Sequence, residues 1–315
     1  MAWYELAFLI MHTFFTDSLM VSGLNATFRF FVTLIFIYIY KKISMKTFLV
    51  PVDFSATSVN AAEYAVALSK EIPGVEIILY NVYNHISFPS LTEKEDGSRK
   101  TVTERELKRL KRKLGGSDAQ NISYESEEGS FIESLDKYVL SNHVDMVIMG
   151  ITGSSRIKQV FMGTNTLNVI RHINTPVMII PPKAEFNGIK NVLFTSDFKD
   201  VSRSTPFESL RKILDVFKPN LNVLNVDSEH YIELTDEFKI ERTAMEEKLN
   251  TYNPEFAFLR AYDFLDGINS FVEAKEIDAI ITVPRKHGFL SQLFKTSHTK
   301  KLAYHSHVPI IAIHL

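Results

Sequence analysis

The feature that most constrains this chain is that it repeats itself. Residues 47–54 read TFLVPVDF and residues 191–198 read NVLFTSDF, each a short apolar run closing on an aspartate, Asp53 and Asp197. A second apolar run follows in each half, at 77–82 (IILYNV) and 221–226 (LNVLNV). The separation from Asp53 to Val82 equals that from Asp197 to Val226. The halves then differ in length and meet again at 144–149 (VDMVIM) and 277–282 (IDAIIT), and at 176–180 (PVMII) and 309–313 (PIIAI). These runs are apolar without alternation, so they read as strands covered on both faces. Between the first two runs, Ala62, Ala65, Val66 and Ser69 recur at helical spacing. Strands alternating with helices imply βαβ units, a parallel sheet and right-handed crossovers. The expectation is an α/β chain of two tandem doubly wound parallel-sheet domains, about 45–182 and 189–315. The connection at 181–188 (PPKAEFNG) is punctuated by Pro and Gly, with the linker proper at 183–188. Two copies are too few for a solenoid.

Composition removes several function classes. Thirty-five Lys and Arg against 37 Asp and Glu leave a net charge of −2, so no global field draws the chain to nucleic acid. The absence of cysteine excludes disulfides, thiolate metal sites and cysteine nucleophiles, and fits a reducing cytoplasm, the expected location. Residues 91–116 are rich in Lys and Arg, but Leu107, Leu110 and Leu114 fall at helical spacing, which reads as an amphipathic helix with a solvated basic face. His298, His305, His307 and His314 crowd the tail without further ligands at metal-site spacing, so no metal site is assigned to them.

Residues 1–44 differ from the rest. Residues 1–40 hold three charged side chains, Glu5, Asp17 and Arg29, and 30–40 read FFVTLIFIYIY before Lys41 and Lys42. That run is about half the ~20 residues of a spanning helix. Three readings stay open: a membrane anchor with Lys41 and Lys42 on the cytoplasmic side, an apolar extension of a soluble chain, or a start-site artefact with Met45 as the true first residue. Membrane association is expected only in the first.

The chemistry concentrates after the fourth strand of the first half. Residues 150–166 read GITGSSRIKQVFMGTNT, a G-x2-G-x9-G-[ST] spacing that runs into a helix at 167–172. Gly150 and Gly153 allow positive φ and a close backbone approach just past a strand end. Gly163 precedes Thr164, Asn165 and Thr166, good helix N-cap residues, so backbone N–H groups and hydroxyls form an anion site at a helix N-terminus. Ligands of doubly wound sheets sit at the carboxyl ends of strands, where Asp53 also lies and can accept a hydrogen bond from a ribose or adenine group.

With those residues in view, the first half resembles the universal stress protein family in its nucleotide-binding branch, over about 45–182, with a weaker copy at 189–315. The resemblance implies a fold of the adenine nucleotide α-hydrolase type and ATP as ligand, usually with a divalent metal such as Mg²⁺. It implies that Asp53 and the backbone of Val82 face the adenine and ribose, and that Pro51 and Met149 line the nucleotide. Gly150 and Gly153 would approach ribose and phosphates; Gly163, Thr164, Asn165 and Thr166 would hold the phosphates. It also implies that the two copies pair through their last strands as a pseudo-dimer. The second copy departs from the pattern. Aligning Pro309 with Pro176 sets Val283, Lys286 and Thr296 against Gly150, Gly153 and Gly163, with Gly288 alone nearby, so loss of the second site is expected although Asp197 remains.

No catalytic residue is assigned. The sequence has no G-x-S-x-G, no H-E-x-x-H and no Gly-Lys-[Ser/Thr] after the glycines, so fast ATP turnover is not expected. Arg156 and Lys158 lie inside the loop, within reach of either phosphate or solvent. The expected function is an ATP-binding stress-response or signalling module that changes its association with a protein partner, either as the intramolecular pair or as a homodimer. The alternative is a nucleotide-independent interaction module. A hydrolase of the related enzyme type is disfavoured because 53–58 (DFSATS) lacks the glycines of the phosphate loop such enzymes carry after their first strand.

Overall fold

The structure is a computed structural model that describes residues 47–83, 96–115, 120–151, 164–227, 235–260, 264–284 and 308–315. Residues 45–315 form one compact unit. The first half contributes β1 (Thr47–Pro51), α1 (Ala56–Ser69), β2 (Glu76–Tyr83), α2 (Asp96–Gly115), β3 (Ile122–Glu128), α3 (Phe131–Ser141), β4 (Met146–Gly150), α4 (Thr164–His172) and β5 (Val177–Ile180). The second contributes β6 (Asn191–Thr195), α5 (Val201–Ser204), α6 (Phe207–Phe217), β7 (Asn220–Asp227), α7 (Asp236–Leu249), β8 (Glu255–Arg260), α8 (Phe264–Ala274), β9 (Ala279–Thr282) and β10 (Ile310–Ala312).

These strands build a single ten-stranded sheet in the order β3-β2-β1-β4-β5-β10-β9-β6-β7-β8. Every pairing is parallel except the central one, where β10 runs antiparallel to β5 with Ile311 opposite Met178. The halves therefore join through their last strands, as the resemblance implied. On β5, Met178 and Ile180 face the layer of α1, α2, α6 and α7, while Val177 and Ile179 face that of α3, α4 and α8; all four are buried. This double burial is why the seam strands read as unbroken apolar runs. Both interior layers continue across the seam, so the halves share their cores.

The repeat extends to polar contacts. Asn81 Nδ2 donates to the Val52 carbonyl at 2.6 Å, and Asn225 Nδ2 donates to the Ser196 carbonyl at 2.9 Å. Asp145 accepts from the Thr47 N–H at 3.1 Å; its counterpart Asp278 accepts from the Lys190 and Asn191 N–H groups, each at 2.8 Å. Phe54 and Phe198 both take positive φ, 61° and 49°, directly after the repeated aspartates. Across the halves, Lys212 of α6 forms an ion pair with Asp145. Tyr64 of α1 stacks edge-on against Phe186 of the linker at 5.3 Å, and Asn60 Nδ2 donates to the carbonyls of Pro181 and Ala184 at 3.3 Å each. Burial, aided by Asp278 and Glu71, pushes the Tyr64 phenol far up, so it stays protonated.

The strands β3 and β8 lie outside the expectation drawn from the sequence. They are the two edges of the sheet, and β3 (ISYESEE) has one buried residue, Ile122, among half-buried and exposed ones instead of running apolar. The basic run forms α2, with Leu107 and Leu110 buried and Arg105, Lys108, Arg109 and Arg112 in solvent. Its ion pairs, Lys100 with Glu104 and Arg109 with Glu106, are exposed and worth little. Among the described residues no helix is long and apolar enough to cross a membrane. Residues 1–44, with their three readings, lie outside the described residues.

Candidate nucleotide site

In the first half the chain leaves β1 toward β2 on one side and returns from β3 to β4 on the other. The crevice between the carboxyl ends of β1 and β4 is thus the topological switch point of this half, where ligands of doubly wound sheets bind. Pro51 is the buried last residue of β1. The Val52 N–H donates to the Tyr80 carbonyl at 2.8 Å, and the Asn81 carboxamide holds the Val52 carbonyl. These two bonds tie the end of β1 to β2 and set the position of the next residue, Asp53.

Asp53 is exposed at this edge. Its Oδ1 accepts from the Ser55 N–H at 3.1 Å and the Ser55 hydroxyl at 2.5 Å, and its own N–H donates to Ser58 Oγ at 3.3 Å. Ser55 is in turn the N-cap of α1, accepting from the Ser58 N–H. The carboxylate is therefore fixed by the turn that starts α1. The left-handed Phe54 lets the chain reverse there.

Backbone parity places Val82. The Tyr80 carbonyl points toward β1 and the Tyr83 carbonyl toward β3, where Gly129 donates to it at 3.0 Å. Residues two apart on a strand present their backbone groups to the same side, so the N–H and C=O of Val82 face the β1 side, beyond the point where β1 has ended. Asp53 and the Val82 backbone thus border one crevice. On the same strand, the Tyr80 hydroxyl donates to Glu127 Oε2 of β3 at 2.7 Å. Burial, with Glu127 adding to it, pushes this phenol far up, so Tyr80 is a neutral brace between β2 and β3.

On the other wall stand Met149, buried, and Gly150, the last residue of β4. Gly150 corrects the expectation of positive φ: it has strand conformation and pairs with Ile180. Its need for glycine is spatial. A Cβ built there meets the Thr57 carbonyl oxygen at 2.7 Å and the Thr57 carbonyl carbon at 2.9 Å. The first turn of α1 presses on the end of β4. In the second half Val283, buried, takes this position, and the first helix is broken into α5 and α6 ahead of Pro206. At the positions of Pro51 and Met149, that half has Thr195 and Thr282, whose hydroxyls hydrogen-bond at 3.0 Å.

Thr164 and Asn165 are exposed in the first turn of α4. The backbone N–H groups of such a turn have no partner within the helix. Thr166 is corrected: it is buried, and its hydroxyl donates to the Gly150 carbonyl at 3.1 Å. It pins α4 to β4 instead of offering a donor to phosphate. Gly153 and Gly163, with Arg156 and Lys158, lie outside the described residues, as do Lys286, Gly288 and Thr296. Among the described residues no group of three or more metal-ligating side chains is found. Of the tail histidines, His314 donates from Nε2 to the Ile170 carbonyl at 2.6 Å; the other three lie outside the described residues. The bracing roles of Thr57 and Asn81 escape a motif search. The one signal for Asn81 was an asparagine recurring in both second strands.

Comparisons with known proteins bear on the family and the fold. A universal stress protein of Methanocaldococcus jannaschii is 31% identical over 162 residues, 96% of its own length and 46% of this chain. The chain belongs to the universal stress protein family. The family model matches residues 45–181. A second universal stress protein of the same organism is 26% identical over 155 residues, 86% of its length. Among solved structures, a universal stress protein from Archaeoglobus fulgidus covers 86% of this chain and 97% of its own, with a TM-score of 0.61 at 20% identity. A functionally unknown protein from Pseudomonas aeruginosa covers 87% of the chain and 94% of its own, with a TM-score of 0.51 at 10% identity. At such identities these two show the fold, and they show it across both halves. The chain is therefore a universal stress protein whose two halves repeat one fold in tandem.

Proposed function

We propose that the first half binds ATP and that the bound state changes the association of this universal stress protein with a protein partner. The observation that carries the reading is the convergence at one switch point of the fixed Asp53 carboxylate, the Val82 backbone turned toward the end of β1, and the exposed Thr164 and Asn165 that open α4. Adenine and ribose would be held by Asp53 and Val82, with Pro51 and Met149 beside them. The backbone at Gly150 and Gly153 would approach the ribose and phosphates, and Gly163, Thr164, Asn165 and the backbone of Thr166 would hold the phosphates, with Mg²⁺. A backbone-lined anion site suits phosphate because its donors are fixed and uncharged. The role is binding, with at most slow hydrolysis, because the loop lacks the phosphate-loop lysine. The second half serves as the pairing partner.

The test is calorimetric titration of the full chain with ATP and Mg²⁺, with mass spectrometry of small molecules released on denaturation. One nucleotide per chain, and at least tenfold weaker binding in Gly163→Ala, is the expected result. Two per chain would return the second half to service. An empty chain that takes up no added ATP would leave the interaction module as the reading.

A further inference from the structure

The helix α4 has nine residues, too few to hold its own place, so its position depends on anchors. At its start Thr166 bonds to β4. At its other end the last four carbonyls lack partners within the helix. That of Val169 takes the Ile173 N–H at 2.9 Å, and that of Ile170 takes His314 Nε2 at 2.6 Å. Ile170 is a buried residue, and its carbonyl is met from the other half of the molecule, by the residue next to the last of the chain.

We propose that His314, supplied by the second half, is a positioning residue for the nucleotide site of the first half, fixing α4 and so the first turn that carries Thr164 and Asn165. The proposal rests on the ATP-binding reading above. A carbonyl only accepts, so the ring proton sits on Nε2, and Nδ1 is buried with no hydrogen-bond partner among the described residues. Only the neutral ring fits: a proton on Nδ1 would be a buried donor without an acceptor. Burial accordingly holds the group below its ordinary value, against the pull of the Ile170 carbonyl. The clamp runs one way. With Pro309 aligned on Pro176, the residue of the first half that corresponds to His314 is Pro181, which has neither a side-chain donor nor a backbone N–H. The half that lacks the glycines thus steadies the half that has them.

The experiment uses the full chain and two variants. His314→Phe keeps a ring and removes the donor; His314→Gln restores an N–H at similar reach. ATP affinity with Mg²⁺ is measured by calorimetry, and amide exchange of residues 164–167 is followed in the nucleotide-free protein. Expected are about five- to tenfold weaker binding and faster exchange at 164–167 in His314→Phe, both largely recovered in His314→Gln. A merely structural role would lower the melting temperature of both variants without a selective change at 164–167. Wild-type affinity and exchange in His314→Phe, or equal losses in both variants, overturn the proposal. If Gly163→Ala abolishes binding while His314→Phe changes nothing, the clamp fails and the ATP reading stands. A wild-type chain that binds no ATP overturns both.

Discussion

Gly150→Ala separates two reasons for a glycine at the end of β4. If glycine is there to admit a ligand, alanine should spare the stability of the nucleotide-free protein. If it is there for the first turn of α1, alanine should cost stability with no ligand present. The added Cβ would lie 2.7 Å from the Thr57 carbonyl oxygen and 2.9 Å from its carbon, both backbone atoms that cannot swing away. Overpacking of this kind costs about 1–3 kcal/mol. Replacing a strand glycine returns roughly 0.5–1 kcal/mol through the unfolded chain. The net expectation is a loss of about 1–2 kcal/mol. For a unit of this size that lowers the melting temperature by roughly 2–8 °C. Urea denaturation without nucleotide, with a control at Gly74, where a Cβ meets nothing within 4 Å and only the φ of +77° resists, is the assay. Gly150→Ala as stable as the parent, with ATP affinity lost, would refute the packing argument and return Gly150 to the ligand.

Further outcomes follow from the repeated polar contacts. Asn81→Leu leaves the Val52 carbonyl without its donor and should cost about 1–3 kcal/mol; it should also weaken ATP binding, whereas Asn225→Leu should cost similar stability and leave ATP affinity alone. Asp145→Ala removes the acceptor of both the Thr47 N–H and Lys212, for about 2 kcal/mol. A double-mutant cycle with Lys212→Ala, read by denaturation, should return about 0.5–1 kcal/mol of coupling between the halves, and a value of zero would remove the ion pair from the account. Because His314 lies below its ordinary 6.5 when folded, the unfolded chain takes up its proton first on acidification. The stability it supports is complete above about pH 6.5 and falls as pH drops through the folded value. His314→Phe should flatten that part of a melting-temperature profile against pH.

Much of the fold was legible because the strands nearest the centre of the sheet are buried on both faces and leave unbroken apolar runs. The edges β3 and β8 were not, since an edge strand with a solvated side loses that signal. Within the candidate site, the placement of Asp53 at the end of β1 and of Thr164 and Asn165 in the opening turn of α4 was legible. It was misread where packing decides. The reason for Gly150 is a helix that starts almost a hundred residues earlier in the chain, and Thr166 spends its hydroxyl on the strand that precedes its own loop. No spacing rule reports which of two neighbouring hydroxyls faces inward.

The antiparallel seam between β5 and β10 has an evolutionary side. In a dimer of identical chains every substitution falls on both subunits at once, so a residue that would spoil one site spoils its twin. Here the two subunits are written into one reading frame, and each position mutates alone. Val283 can fill the place of a glycine while Gly150 stays, and a histidine can arise at the end of one copy while its counterpart remains proline. Joined through this seam, one half can change without altering the residues of the other, which is what the proposed His314 clamp requires.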